Sequence, residues 1–235
     1  MNPTTTAATA DDHIAIDSDS TQRLFLEART ANSFSSKPVP AATLAAIYEL
    51  TKMSPTMMNN QPLRITWVQT SEAREHLASH LAEGNQKKTR TAPAVAVLSY
   101  DSDWHEHFPT FFPPAPERKA MFDGDSTMRA EIGKNNAWLQ SGIFIMAVRA
   151  VGLHAGPMGG FDTAGVDDAG CTAETYVVWK LQPYSVWKVG CNTDRLFPRE
   201  GPAHKRQGFF FAASKEKTLP VVECGQSDGS NRDVG

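Results

Sequence analysis

An apolar run over residues 137–151 leads directly into a glycine-rich segment, GLHAGPMGGFD, at residues 152–162. The wider pattern over residues 128–151 predicts one long helix that is apolar on nearly all sides, so we expect it to be central in the fold or to lie at an interface. Because glycine has no Cβ, Gly156, Gly159 and Gly160 would let the backbone approach a flat ligand closely. A C-cap glycine followed by a tight connection is the alternative, and the segment by itself is consistent with both.

Length and composition limit the classes of protein that this chain can form. Its 235 residues can build one good core, and 40% hydrophobic with 21% charged residues is typical of a soluble globular domain. A net charge of −3 disfavours nucleic acid or an anionic membrane as a partner. No apolar run is long enough to span a bilayer, and residues 1–20 lack the basic and apolar regions of a secretory signal. The three cysteines have no CxxC spacing, which disfavours a disulfide framework or zinc site and favours the cytoplasm.

The hydrophobic pattern predicts a single α+β domain over residues 21–222, with a disordered tail at 1–20 and a loose end at 223–235. Apolar periodicity predicts helices at residues 21–31, 41–52, 71–83 and 128–151. Short apolar runs predict strands at residues 65–68, 94–100, 176–181 and 185–189. Residues 101–124 show neither period, so we expect a long loop or lid there, extending to about residue 127.

Two polar segments are candidates for binding a ligand. In RTANS, at residues 29–33, Arg29 offers a fixed fork of donors for a phosphate oxygen, which Ser33 or backbone N–H groups could complete. In SPTMMNNQP, at residues 54–62, the amides of Asn59 and Gln61 both donate and accept, which suits the edge of a heteroaromatic ring. The alternatives are a surface arginine at a helix end and an Asx-rich turn.

Two further segments carry charged or metal-ligating side chains. GNQKKTR, at residues 84–90, is predicted to follow a helix and to present an amide and cations before the next strand; a solvated basic helix end is the alternative. DSDWHEH, at residues 101–107, holds His105, His107 and three acids, but it matches no known ligand spacing and lies on no predicted helix. We therefore predict no metal, and a mobile aromatic lid over a pocket. The absence of GxSxG, Walker A and GxGxxG patterns disfavours serine hydrolases, P-loop NTPases and Rossmann domains.

Taken in order, RTANS, SPTMMNNQP, GNQKKT, GLHAGPMGGFD and LFPR resemble the FMN-dependent nitroreductase family over most of residues 20–200. The finer pattern is similar to the subgroup of malonic-semialdehyde or 3-hydroxypropionate reductases. The resemblance implies a nitroreductase-like fold, with a central, mainly antiparallel sheet flanked by helices and a long central or interface helix. It also implies a homodimer with one FMN in each of two interface pockets, and NADH or NADPH as the electron donor in a ping-pong cycle.

The same resemblance implies roles for individual residues. Those that would bind FMN lie in the shared motifs: Arg29, with Thr30, Ala31 and Ser33 nearby, and Arg199 at the phosphate; Asn59 and Gln61 along the isoalloxazine; Asn85 and Lys88 at its polar edge; Met158, Gly159 and Gly160 near its reactive nitrogen. No side chain is expected to be an essential catalytic group, because the flavin performs the chemistry. From the lid, His105, His107 and Phe111 are candidate substrate contacts.

The expected activity is the reduction of a small nitroaromatic, quinone or semialdehyde. Malonic semialdehyde as the physiological substrate is one alternative. A flavin-binding protein without turnover is another, because residues 170–206 depart from the family pattern: Pro183 divides two apolar runs, and no second arginine closely follows FPR. A metal-dependent hydrolase that uses His105 and His107 is a more distant alternative.

Overall fold

The computed structural model describes residues 14–166 and, as backbone, residues 181–190 and 222–224. In these parts of the chain one sheet holds five strands in the order β3-β4-β2-β1-β5. Their bounds are β1 Leu63–Val68, β2 Ala94–Asp101, β3 His154–Met158, β4 Leu181–Gly190 and β5 Val222–Cys224. All neighbours pair antiparallel except β1 and β5, which are parallel. The predicted α+β fold with a mainly antiparallel sheet is confirmed.

Helices of very different length surround the sheet. Their bounds are α1 Ser18–Thr21, α2 Ala41–Thr51, α3 Ser71–Ser79, α4 Glu83–Thr91, α5 Phe108–Phe111, α6 Ala120–Asp123, α7 Ser126–Ala150 and α8 Thr163–Val166. A π turn, Gln22–Leu26, continues α1, and 3-10 turns occur at Met57–Asn59, Trp104–His107 and Pro116–Lys119. Among the described helices, including α7, none has the length and apolar character needed to cross a membrane.

The long helix α7 packs on the sheet together with α2, which confirms its predicted central place. Phe144 of α7 meets Trp67 of β1 with ring centroids 5.8 Å apart, inside a cluster that also holds Leu44 and Ile47 of α2. Val95 and Val97 of β2 pack on the opposite face of the sheet, with Leu77 of α3. Burial of β2 on both faces explains why its sequence is an unbroken apolar run rather than an alternating one.

The predicted helix at residues 71–83 is wrong in extent. Helix α3 ends at Ser79, and Leu81 then pairs with Phe161, which turns the chain away from the helix axis. A second helix, α4, covers the segment that we expected to follow a helix. Its glutamine, lysines and arginine are good helix formers, and Glu83 complements the positive end of the helix dipole.

Residues 101–124 form short helical turns rather than the predicted loop. Trp104, Phe108 and Phe122 are buried there in a cluster of their own, and the rings of Trp104 and Phe122 lie 4.8 Å apart between centroids. Gly133 of α7 lets this cluster approach, because a Cβ at that position would lie 3.0 Å from Trp104 atoms. Aromatic burial therefore orders a segment that has no helical or strand period.

The strand predicted at residues 185–189 is confirmed, and it belongs to the longer strand β4. Pro183 lies within that strand, at the point where its register against β2 shifts between Leu98 and Ser99. A bulge is a usual place for proline in a sheet, because proline has no N–H to donate to the ladder. Of the strand predicted at residues 176–181, only the last residue lies within the described residues.

Candidate functional site

The glycine-rich segment divides into two structural parts. Helix α7 ends at Ala150, and Gly152 has φ +85°, the left-handed conformation of a glycine that follows a helix end. Strand β3 begins at His154 and includes Gly156 and Pro157, so this part is not the loop that we expected. The C-cap interpretation is therefore correct for Gly152. Only Gly159 and Gly160 lie beyond the strand, where backbone could face a ligand.

Three of the motifs meet at this end of the sheet, in a group of residues 29–33, 82–89 and 155–160 that we call the β3 cluster. The amide of Ala31 donates to the carbonyl of Ala155 at 3.0 Å, which attaches RTANS to strand β3. The ammonium of Lys88, on α4, donates to the side-chain oxygen of Asn32 at 3.0 Å. Segments distant in sequence are thus directly joined by hydrogen bonds.

The two glycines after β3 differ in their surroundings. A Cβ added to Gly159 would have no protein atom within 4 Å, whereas one added to Gly160 would lie 3.2 Å from Cβ of Ala82 and 3.5 Å from Nδ2 of Asn85. The carbonyl of Gly160 accepts from the amide of Ala82 at 3.0 Å and from Asn85 at 3.4 Å. Gly160 therefore packs against α4, and Gly159 borders open space.

The β3 cluster has the chemical character of an anion site. Arg29 and Thr30 are exposed, while Ser33 and Lys88 are half-buried. Guanidinium, ammonium and hydroxyl groups together are the donors that proteins present to phosphate. Met158 is buried, and its sulfur accepts from the hydroxyl of Thr89 at 3.7 Å, which connects the strand to α4. Arg199, the predicted second phosphate ligand, lies outside the described residues.

A second group of predicted site residues lies in the loop of residues 54–62, where the backbone is strained. Met58, Asn59 and Gln61 have φ values of 49°, 52° and 42°, in a left-handed region that non-glycine residues seldom adopt. Each such residue costs about 1–3 kcal/mol and persists only where the surroundings hold it, commonly at a binding site. One of the groups that hold the loop is Asn136 of α7, whose side-chain oxygen accepts from the amide of Met57 at 2.8 Å.

A chain of amide hydrogen bonds runs through this loop from α7 to the 101–124 segment. Leu63 N donates to Oε1 of Gln140 at 2.9 Å, and Nε2 of Gln140 donates to Oε1 of Gln61 at 2.7 Å. Nε2 of Gln61 donates to Oδ1 of Asn59 at 2.9 Å, and Nδ2 of Asn59 donates to the carbonyl of Phe111 at 2.6 Å. We call this chain the amide relay. It brings together the predicted residues Asn59, Gln61 and Phe111.

Gln140 and Asn136 are site residues that sequence reasoning missed. Gln140 is only 3% exposed although its side chain is polar. A polar amide inside the apolar run at residues 137–151 was the signal that could have identified it, because a buried amide needs partners. Asn136 lies one helical turn earlier on α7 and gave no comparable signal.

The two histidines of the 101–124 segment are engaged with carboxylates of the protein. His107 Nε2 lies 3.1 Å from Oδ2 of Asp101, a buried carboxylate that also accepts from Arg64 at 2.7 Å. Burial lowers the pKa of the Arg64 guanidinium, and the charge of Asp101 opposes that shift. His105 is buried, and its Nε2 lies 3.3 Å from Asp123. Burial lowers the pKa of His105, and the nearby Arg129 lowers it further.

One group in the described residues has the donors of a metal site: His105, Glu106 and Asp123, whose ligand atoms lie within 4.8 Å of one another. Nζ of Lys119 lies 3.1 Å from Glu106 and 2.7 Å from Asp123, so an ammonium already neutralises these carboxylates. Because a bound cation would have to displace Lys119, the group is better described as an ion-pair cluster. That no metal binds stays a prediction.

The fold places the chain in a known structural class. A nitroreductase-named structure from Bacillus subtilis matches with a TM-score of 0.69 at 18% identity, covering 80% of this chain and 95% of that one. A protein from Exiguobacterium sibiricum, solved in complex with FMN, matches with a TM-score of 0.66 at 18% identity, covering 77% of this chain and 92% of that one. At such identities the likeness establishes the nitroreductase-like fold.

Sequence comparison defines the family. Residues 26–179 match the nitroreductase family, and the chain belongs to that family of oxidoreductases. A Streptomyces coelicolor protein is 51% identical over 144 residues, which cover 61% of this chain and 71% of the relative; it is provisionally named an NADH dehydrogenase/NAD(P)H nitroreductase. A Caulobacter relative with the same provisional name is 38% identical over 185 residues, 78% of this chain and 92% of the relative.

Proposed function

We propose that this protein is an FMN-dependent NAD(P)H oxidoreductase of the cytoplasm that reduces small nitroaromatic, quinone or semialdehyde substrates by ping-pong hydride transfer. The observation that carries the proposal is the β3 cluster, where hydrogen bonds join RTANS to strand β3 and to the lysine of α4, and join Asn85 of α4 to Gly160 after β3. Family membership and the FMN complex of the Exiguobacterium protein support the same cofactor.

The groups in the β3 cluster fit FMN. Arg29, with the hydroxyls of Thr30 and Ser33, would hold the phosphate dianion. Lys88 and Asn85 would donate to the polar edge of the ring. The open space beside Gly159 leaves room for a flat ring against the backbone. Bound FMN would supply the hydride chemistry, as flavins do.

The side chains of the protein would bind and orient rather than react. An ammonium at the polar edge favours negative charge there, so Lys88 would make the cofactor easier to reduce. The hydrogen bond from Lys88 to Asn32 restricts where the ammonium group can lie. In a ping-pong cycle NAD(P)H and the oxidised substrate would use the same site in turn.

We propose a homodimer with a cofactor at each of two interface pockets. Trp138 and Leu139 of α7 are 47% and 50% exposed, and Leu50 and Met53, at the end of α2, are also exposed. Large apolar side chains exposed on two helices that pack together are typical of a surface that another chain covers.

Rates of turnover separate an uncharged planar substrate from malonic semialdehyde, whose carboxylate needs a cation. In the 101–124 segment Lys119 is paired with Glu106 and Asp123, whereas Arg118 is exposed. Arg129 donates to the carbonyls of Phe122 and Asp123. Steady-state rates with menadione, a nitrobenzoate ester and malonic semialdehyde test the two alternatives: faster turnover of the semialdehyde would identify it as the physiological substrate.

The proposed function is tested by adding FMN to the apoprotein and then NADH or NADPH under anaerobic conditions. Bleaching of the flavin absorption by nucleotide alone, followed by recovery on adding quinone, is the expected ping-pong result. Flavin that binds but is not bleached by either nucleotide would indicate the alternative, a binding protein without turnover. Turnover that a chelator leaves unchanged would exclude the metal-dependent hydrolase.

A further inference from the structure

We propose that Gln140 is a positioning residue that, through Gln61, holds the Asn59 amide in place for the cofactor. The inference rests on the proposed function, because it concerns the same FMN site. It is carried by the amide relay, which leads from the buried side chain of Gln140 through Gln61 to Asn59.

Backbone groups fix the direction of the relay. The amide of Leu63 can only donate, so Oε1 of Gln140 must face it, and Nε2 of Gln140 must then face Gln61. The carbonyl of Ser54 can only accept and lies 2.9 Å from Nε2 of Gln61, which fixes that amide in the same sense. The orientation of each side-chain amide thus follows from a main-chain partner and not from a choice between two similar atoms.

The far end of the relay has the same property. Asn59 Nδ2 faces the carbonyl of Phe111, which can only accept, so Oδ1 of Asn59 is the atom that receives the bond from Gln61. If Gln140 lost its donor, Gln61 would lose the partner that holds its oxygen inward. Nε2 of Gln61 would stay on the carbonyl of Ser54 and on Oδ1 of Asn59, but Oε1 of Gln61 would be buried without a donor, so the hold on Asn59 would weaken.

Counting donors shows which amide is left for a ligand. Both N–H groups of Gln61 are used within the described residues, on Ser54 and Asn59. Asn59 uses one N–H on Phe111 and keeps a second N–H and a lone pair of Oδ1. Asn59 is half-buried, whereas Gln61 is buried. Asn59 is therefore the amide that would contact the cofactor, and Gln61 and Gln140 would act through it.

The strain in the loop explains why such a device is needed. Asn59 and Gln61 both lie in the left-handed region, so their own backbone preference does not hold them there. Hydrogen bonds from a rigid helix supply that constraint. Gln140 is well suited because it lies in the middle of α7 and is held on both sides of its amide.

The first test replaces the side-chain NH2 group of Gln140 by an oxygen. Gln140→Glu keeps the acceptor for Leu63 but presents an oxygen to Gln61 instead of an N–H. The Kd of the apoprotein for FMN, from fluorescence quenching at pH 8, should rise about tenfold, the usual effect of a lost buried hydrogen bond. At pH 6 the difference from the wild type should narrow, because burial keeps the introduced carboxyl protonated and able to donate. Asn135→Asp, on the exposed side of α7, is the matched control, and it should leave the Kd for FMN unchanged at both pH values.

A double-mutant cycle separates positioning from general structure. Gln140→Met should weaken FMN binding in the wild-type background and have no further effect when Asn59→Ala is present. An equal loss in both backgrounds, through unfolding or otherwise, would overturn the proposal, as would a Gln140→Glu variant with wild-type Kd at both pH values. Wild-type protein that does not bind FMN would instead refute the proposed function, so the two failures are distinguishable.

Discussion

A side chain at Gly159 should separate cofactor binding from stability. An ideal Cβ at this position has no protein atom within 4 Å, and the φ of Gly159 lies outside the left-handed region. Gly159→Ala should therefore leave the folded protein unstrained. By restricting the unfolded chain, it should stabilise the protein by about 0.4–1 kcal/mol. FMN binding should weaken in the same variant, because the methyl group would occupy the face against which the ring packs.

The size of the binding effect follows from overpacking. Inserting a methyl group into a filled contact costs about 1–3 kcal/mol, which corresponds to a Kd for FMN raised about 5- to 150-fold, and Gly159→Val should act more strongly. Urea unfolding of the apoprotein and FMN titration measure the two effects on one sample. Gly124→Ala, which also faces open space, is the control that should alter stability only. Unchanged FMN affinity in Gly159→Val would refute the reasoning.

Three further variants test other parts of the structure. Asp101→Asn should lower the free energy of unfolding by about 3–5 kcal/mol, because it removes the carboxylate that balances the buried charge of Arg64, whose other donors keep their carbonyl acceptors; a loss below about 1 kcal/mol in urea would contradict this. Gly133→Ala should destabilise by up to about 2 kcal/mol, because crowding of Trp104 costs about 1–3 kcal/mol against a gain of about 1 kcal/mol in helix propensity. A higher melting temperature of Gly133→Ala would contradict this, because it would mean that the aromatic cluster around Trp104 can move to accommodate the methyl group. Trp138→Glu should give a mass of 25.7 kDa by light scattering, against twice that value for wild type; a wild-type monomer would contradict the dimer.

Sequence reasoning identified the elements whose own pattern reports burial. The apolar period of residues 128–151 corresponds to α7, and the run at residues 94–100 corresponds to β2. It also identified the motifs that meet in the β3 cluster, because hydroxyl, amide and cationic side chains signal their chemistry wherever they fold. The different roles of Gly152, which follows a helix end, and Gly159, which borders open space, required the structure, because both are glycines in one continuous segment.

The errors occurred where tertiary contacts outweigh local pattern. Helix α4 has an almost entirely polar sequence, so it offers no apolar period to detect. The 101–124 segment is ordered by the packing of Trp104 against Phe108, Phe122 and Gly133, contacts that no local rule describes. Gln140 became meaningful only once its partners, more than 70 residues away, were beside it.

The amount of FMN that the protein binds tests the central claim most directly. Purified protein is incubated with FMN, freed of excess cofactor and denatured, and the released flavin is measured against the protein concentration. We expect one FMN for each chain, with the wild type yellow and Gly159→Val colourless at equal concentration. Wild-type protein that retains no flavin and shows no quenching on titration would contradict the assignment of the β3 cluster as a flavin site.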